Sequence, residues 1–267
     1  MEIGESQTRA AVAHRATVEI TTFLEKELFP RVSEKLRNPE EFGQVVCGLY
    51  ARLFLLAKTL CQLPDSSHFQ TVRSSSRTAF EVMVDLKELA ANRSLAAKVV
   101  AHGYASRYRN ARRTVEALRK HDRVPPERYR HEFTLSDDPV EQKRFKDLCH
   151  THWERKDGKV KLPDNWSGKD IASRARALGP EYEELYCKVY AVDCAVVHSS
   201  ITMVWGFPAE FFHNAFAVGH MNFQKFLLRS TASVCEACDL RPDPASFGEL
   251  LKSLELHTGK LLLEAIG

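Results

Sequence analysis

The chain has 267 residues, 27% of them charged and 44% hydrophobic, with a formal net charge of +3. That balance belongs to a globular protein and excludes a disordered chain. The length admits one large core with an appendage, and with only 12 glycines and 11 prolines the composition favours long helices over a many-turned β fold.

Residues 6–29 read as a helix with Val18, Phe23, Leu24 and Leu28 on its buried side, interrupted by Pro30. A second helix opens at Pro39 and carries the stripe Phe42, Val45, Val46, Leu49, Leu53, Leu56, Leu60 before stopping near Pro64. The third runs over 67–91 and the fourth over 93–120, with Tyr104, Tyr108, Ala111, Val115 and Leu118 as the fourth's seam. Pro125-Pro126 ends that unit, 127–138 reads as irregular, and 139–153 as a helix. The stretch 154–168, ERKDGKVKLPDNWSG, reads as a loop. A short helix then closes at Gly179, and Pro180 opens the helix that reaches Ser200. An aromatic helix follows from Pro208 to about 238, with Gly219 as a point where it could break, and a terminal helix spans 245–266. The expectation is an all-α fold, a compact bundle of eight to nine helices forming a single domain. Its core is 1–122 and 167–267, with a basic, less regular insertion over 123–166.

Seven cysteines without a framework spacing, a polar N-terminus and no run of eighteen apolar residues predict a cytoplasmic protein that does not enter a membrane. No phosphate loop, GxGxxG, HExxH or GxSxG occurs. Cys235-x-x-Cys238 and Cys149-His150-x-His152 are two halves of a zinc pattern with nothing to join them, so neither metal nor cofactor is expected.

The chemistry concentrates in two helices. Between 182 and 198, Tyr182, Tyr186, Tyr190, Cys194 and His198 recur every four residues, which stacks three phenols, a thiol and an imidazole on one helix face. In 73–89, Arg77 and Glu81 lie four apart among apolar residues. The expectation is that these helices meet and bring Arg77, Glu81, Tyr190 and His198 together. In a catalytic reading Arg77 engages a phosphate, His198 is the acid/base, Glu81 orients Arg77 and Tyr190 positions His198 or the substrate. In a structural reading the same four form a polar network that fixes helix register. A pocket for a small anionic ligand is a third use.

From Tyr104 to His131 there are nine Lys or Arg against three acids, a local +6 that leaves −3 for the rest. Arg107, Arg109, Arg112, Arg113, Arg119 and Lys120 would make a phosphate-binding face for RNA, with tyrosines to stack on bases. The alternative is a solvated helix face.

The segments RTAFEVMVDLKELAANRSLAAK and NWSGKDIASRARALGPEYEELYCKVYAVDCAVVHSS resemble an uncharacterised, mostly bacterial family of all-helical domains. Its pattern is an Arg-x-x-x-Glu helix, a Trp-x-Gly segment and a later Tyr-(x)7-His helix. Arg77, Glu81, Trp166, Gly168, Tyr190 and His198 match it over roughly 40–200, while Cys194 stands where the pattern has a small hydroxyl residue. The fold this implies is similar to HEPN domains, many of them dimeric, metal-independent ribonucleases of toxin or anti-phage defence systems. Their Arg-x(4–6)-His signature occurs at Arg9–His14 and Arg144–His150, no more often than 22 arginines and 11 histidines give by chance. The resemblance therefore implies an RNA-directed protein, working as a homodimer, without itself assigning a site.

Overall fold

Periodic apolar residues wind into helix nearly everywhere the pattern predicts. The computed structural model describes residues 3–38, 40–120, 127–153, 161–198, 207–240 and Glu249, and among these no strand occurs. The chain divides into two compact units, Met1–Arg93 with Ile171–Gly267, and Ser94–Asp170.

The larger unit holds α1 (Ile3–Glu27), α2 (Phe29–Arg37), α3 (Glu41–Cys61), α4 (Phe69–Ala91), α8 (Ile171–Leu178), α9 (Pro180–Leu185), α10 (Ala191–His198) and α11 (Ala209–Cys238). Pro30 sits in the first turn of α2, where no N–H is needed, so it starts a helix as it ends the previous one. The buried side of α1 is Ala10, Ala13, Ala16, Thr17, Ile20 and Leu24, with Leu28 buried just past its end. Val18 and Phe23 are only half-buried. Small side chains let α1 approach α11 closely, and alanine is too weakly hydrophobic to mark that face in the sequence. α3 is long and apolar enough, at mean hydropathy 1.4, to cross a membrane by length and composition alone. Here its stripe faces the core: Phe42, Val45, Val46, Leu53 and Leu60 are buried, while Leu49 and Leu56 are half-buried.

α11 runs unbroken through Gly219. A Cβ at Gly219 would stand 2.9 Å from both Val72 Cγ1 and Arg73 Cδ of α4. The glycine is thus a contact point, which lets α4 lie against α11 and lets the Arg73 side chain cross it. Phe80 of α4 meets Phe226 of α11 edge-on at 5.4 Å, and the Tyr50 hydroxyl of α3 lies 2.9 Å from Thr231 Oγ1.

The smaller unit holds α5 (Leu95–Lys120), a 3-10 turn at Glu127–Tyr129, α6 (Arg130–Asp137) and α7 (Pro139–Trp153). Its core joins Ala101 and Ala105 of α5 to Cys149, Trp153 and Leu162. That packing claims α5 for this unit, so the boundary falls at Ser94 and Asp170 rather than at 123 and 166. Residues 130–137, expected to be irregular, are helical; they contain neither glycine nor proline. The Asp138 carboxylate caps α7 by accepting from the Val140 N–H at 2.8 Å. The terminal helix expected over 245–266 lies outside the described residues apart from Glu249, which is helical.

Candidate functional site

α4 carries Arg73, Arg77, Glu81, Asp85 and Glu88 at steps of four, four, four and three, a charged ladder along one face of a core helix. The segment from α8 to α10 covers it rung by rung. At one end Arg73 Nε lies 2.8 Å from Asp193 Oδ1, with side chains 6% and 0% exposed. At the other, Arg174 of α8 spans Asp85 and Glu88, donating to Glu88 Oε2 from Nε at 3.0 Å and from Nη2 at 2.7 Å. The Arg174 side chain is 4% exposed.

Between these closed ends sits the rung the sequence singled out. Arg77 Nε donates to the Tyr190 hydroxyl at 3.2 Å, and that hydroxyl donates to Glu81 Oε1 at 2.8 Å. Arg77 Nε and Glu81 Oε1 are 3.4 Å apart. Here the Arg77 and Glu81 side chains are 31% and 39% exposed, while Tyr190 is buried against Phe80. Burial and the Glu81 carboxylate push the Tyr190 phenol above its ordinary value, so it stays protonated and remains a donor. Burial works against the Arg77 cation, but the Tyr190 hydrogen bond together with the charges of Tyr190, Cys194 and Glu81 outweighs it, and Arg77 is raised above its ordinary value.

Tyr190 reaches this place because the covering helix is not regular. Tyr186–Tyr190 is a turn of π-helix between α9 and α10, and the Ala191 N–H donates to the Tyr186 carbonyl. The extra residue per turn breaks the four-residue ladder. Tyr186 still stacks on Tyr190 at 5.4 Å, but beyond Tyr190 it is Asp193 that is fully buried and Cys194 that is half-buried.

Burial raises the Asp193 carboxyl to about 6, against the opposing pull of Arg73 and Ser76. Burial also outweighs Asp193 at Arg73, lowering that guanidinium from its ordinary value. The pairings Tyr190 with Arg77 and Asp193 with Arg73 make the two helices antiparallel. His198 closes α10 eight residues beyond Tyr190, about 12 Å along the axis at 1.5 Å per residue. Its side chain lies outside the described residues. The structure thus assembles Arg77, Glu81 and Tyr190. Arg73, Asp85, Glu88 and Arg174 are not among the residues the sequence singles out, although the repeat of charge at 73, 77, 81 and 85 is visible in it.

In the smaller unit most of the basic residues of α5 have partners. Arg107 Nη2 lies 2.5 Å from His131 Nε2. Arg109 donates to the carbonyls of Leu162 and Pro163. Arg112 pairs with Glu116 at 2.7 Å and Arg119 with Asp137 at 2.6 Å. Arg113 and Lys120 are exposed. The Trp166–Gly168 segment forms a turn pinned from inside the unit. Trp153 Nε1 donates to the Trp166 carbonyl at 3.0 Å, the Gly168 N–H donates to Asn165 Oδ1 at 3.0 Å, and Gly168 has φ +76°. Its role as shown is to shape the loop. Among the described residues no three His, Cys, Asp or Glu are placed to share a metal ion.

No curated protein and no solved structure matches the chain. A family profile does match, over residues 43–209, which takes in the α4 ladder, the Trp loop and the segment that covers the ladder. The chain belongs to the family of unknown function DUF5677.

Proposed function

We propose that Arg77, Glu81 and Tyr190 are the working centre of an RNA-directed, phosphate-recognising protein that cleaves RNA without a metal. The observation that carries this is a contrast within one ladder: both ends are closed ion pairs, and the middle rung alone is a third open to solvent. A ladder serving only to hold helices together gains nothing from an open rung, whereas a site needs one. The π-turn that delivers Tyr190 adds to the reading, since such turns recur at functional sites.

In the proposed step Arg77 steadies the non-bridging phosphate oxygens, with Tyr190 fixing its guanidinium. Glu81 accepts the proton of the ribose 2′-hydroxyl. That oxygen attacks phosphorus, the bond to the 5′-oxygen breaks, and the leaving oxygen takes a proton from solvent. The products are a 2′,3′-cyclic phosphate and a 5′-hydroxyl.

A second reading, a helical binding domain without catalysis, is favoured by the internal partners of Arg107, Arg109, Arg112 and Arg119, which shrink the cationic face available to RNA. Expression of wild type beside Arg77→Gln and Glu81→Gln, with total RNA analysed and each fold checked by melting, separates the two. Fragmented RNA with wild type and intact RNA with both folded variants supports cleavage. Intact RNA with all three supports the binding domain.

A further inference from the structure

The loop of residues 161–170, which carries Trp166 and Gly168, walls a cavity of about 630 Å³ within the smaller unit. Lys98 of α5 and His152 and Trp153 of α7 complete the wall. The loop is held both from behind and from within. Arg109 donates to the Leu162 and Pro163 carbonyls and His102 Nε2 donates to the Pro163 carbonyl at 3.1 Å, which ties the loop to α5. Asn165 closes the turn. Its Oδ1 accepts from the Gly168 N–H and, at 2.7 Å, from the Ser167 hydroxyl, while its Nδ2 donates to the Lys169 carbonyl at 2.8 Å. The Lys169 N–H is taken by Ser167 Oγ at 3.1 Å. The turn satisfies its own polar groups, so the cavity is shaped before anything enters it.

The wall offers two kinds of surface. Trp153, Leu162 and Pro163 are apolar, and His152 adds a ring tilted against Trp153 with centroids 5.4 Å apart. Lys98, Lys161 and Lys169 are cationic. Lys98 Nζ donates to the Ser167 carbonyl at 3.3 Å, from a half-buried position. Lys161 and Lys169 are exposed, and among the described residues their ammonium groups pair with no carboxylate. Of the two aspartates in the wall, Asp164 is turned fully to solvent 3.7 Å from Arg109, and Asp170 has a partner of its own. Lysine ammonium groups are compact charges suited to phosphate oxygens. A preformed cavity of this size, part apolar and with a few convergent charges, suits a cofactor-sized ligand.

We infer that this cavity binds the 5′-polyphosphate of a nucleotide, with the phosphate chain on Lys98, Lys161 and Lys169 and the base against Trp153 and His152. An inorganic phosphate would leave most of the cavity and all of its apolar wall unused, and an uncharged ligand would leave the lysines unanswered. The same chemistry is presented by a free nucleoside triphosphate and by the 5′-triphosphate end of an RNA. Binding here asks nothing of Arg77, Glu81 or Tyr190, which all belong to the larger unit.

The test is titration calorimetry of the full chain with ATP, ADP, AMP and adenosine in EDTA, so that no magnesium competes for the phosphates. Wild type alone gives the first result: affinity should rise with each phosphate, by about tenfold or more from AMP to ATP, with no measurable heat from adenosine. Lys161→Ala and Lys169→Ala, at exposed positions, should keep the wild-type melting temperature and each weaken ATP by about fivefold or more, with binding lost in the double variant. Lys146→Ala, an exposed cation of α7 outside the cavity wall, should bind ATP as wild type does. A short RNA with a 5′-triphosphate that displaces ATP, when the same RNA with a 5′-hydroxyl does not, assigns the site to RNA ends; failure of both to displace it assigns the site to free nucleotides. No heat with ATP, ATP no tighter than AMP, unchanged affinity in the folded double variant, or an equal loss in Lys146→Ala would overturn the inference.

Discussion

Replacing Gly219 with alanine tests the packing on which the α4 ladder rests. In a helix interior Gly→Ala is worth about 1 kcal/mol of added stability from backbone entropy alone. At Gly219 the new Cβ would lie 2.9 Å from Val72 Cγ1 and from Arg73 Cδ, closer than carbon atoms pack. Val72 is fully buried and Arg73 is held by Asp193, so neither can swing away freely. Overpacking of this kind costs about 1–3 kcal/mol, which cancels or exceeds the gain. Gly48 of α3 is the control: it is exposed, in the same unit, and its Cβ would meet only Leu36 Cδ2 at 4.0 Å. Urea unfolding followed by circular dichroism should show Gly48→Ala more stable than wild type. Gly219→Ala should fall below Gly48→Ala by about 1–3 kcal/mol with an unchanged urea slope. Equal stabilisation by the two substitutions would refute the close approach of α4 and α11, and with it the placement of Arg73.

Three further outcomes follow from the ladder and its neighbours. Arg174→Met leaves Asp85 and Glu88 without their shared cation and should cost about 3–5 kcal/mol in the same assay, whereas Arg77→Gln, at the open rung, should cost less than about 1 kcal/mol. Tyr190→Phe removes one hydroxyl that both accepts from Arg77 and donates to Glu81, so it should lower stability by about 1–2 kcal/mol and abolish any RNA cleavage.

The third outcome concerns pH. Asp193 is raised to about 6, so between that pH and the unfolded value near 3.8 the native state alone holds its proton; its contribution to stability is present at low pH and lost as pH rises through 6. His220, which lies 2.8 Å from Thr17 and faces His14, is lowered by burial to about 3, so stability is lost as pH falls below 6.5. The two slopes oppose each other at about 1.4 kcal/mol per pH unit each. Relative to wild type, Asp193→Asn should lose stability from pH 6 to 4 and His220→Asn should gain it; parallel profiles would refute both assignments.

The sequence made most helices legible because their signals are local: the α3 stripe, the proline that opens α9, the caps at Asp138 and Gly179; α2 escaped, because Pro30 reads as a stop as readily as a start. It also carried the middle rung, since Arg77, Glu81 and Tyr190 are conspicuous polar groups in apolar helices. The flanking rungs escaped for a physical reason. Whether Arg73 or Arg77 is buried depends on where the covering helix lies, and that is set by a π-turn with no signature in YCKVY. Asp193, one position off the ladder of Tyr190, Cys194 and His198, is the residue that the covering helix buries against Arg73. The basic run of α5 was read from its own charges, while its partners Asp137, His131 and the Leu162–Pro163 carbonyls lie far along the chain.

The most direct test of the central claim is analysis of the ends left on a short RNA by the purified protein in excess EDTA. The account predicts 2′,3′-cyclic phosphate and 5′-hydroxyl ends with wild type, and none with Arg77→Gln, Glu81→Gln or a substrate whose riboses are replaced by deoxyriboses. Uncut RNA with folded wild type, or cleavage that persists in both folded variants, would contradict it.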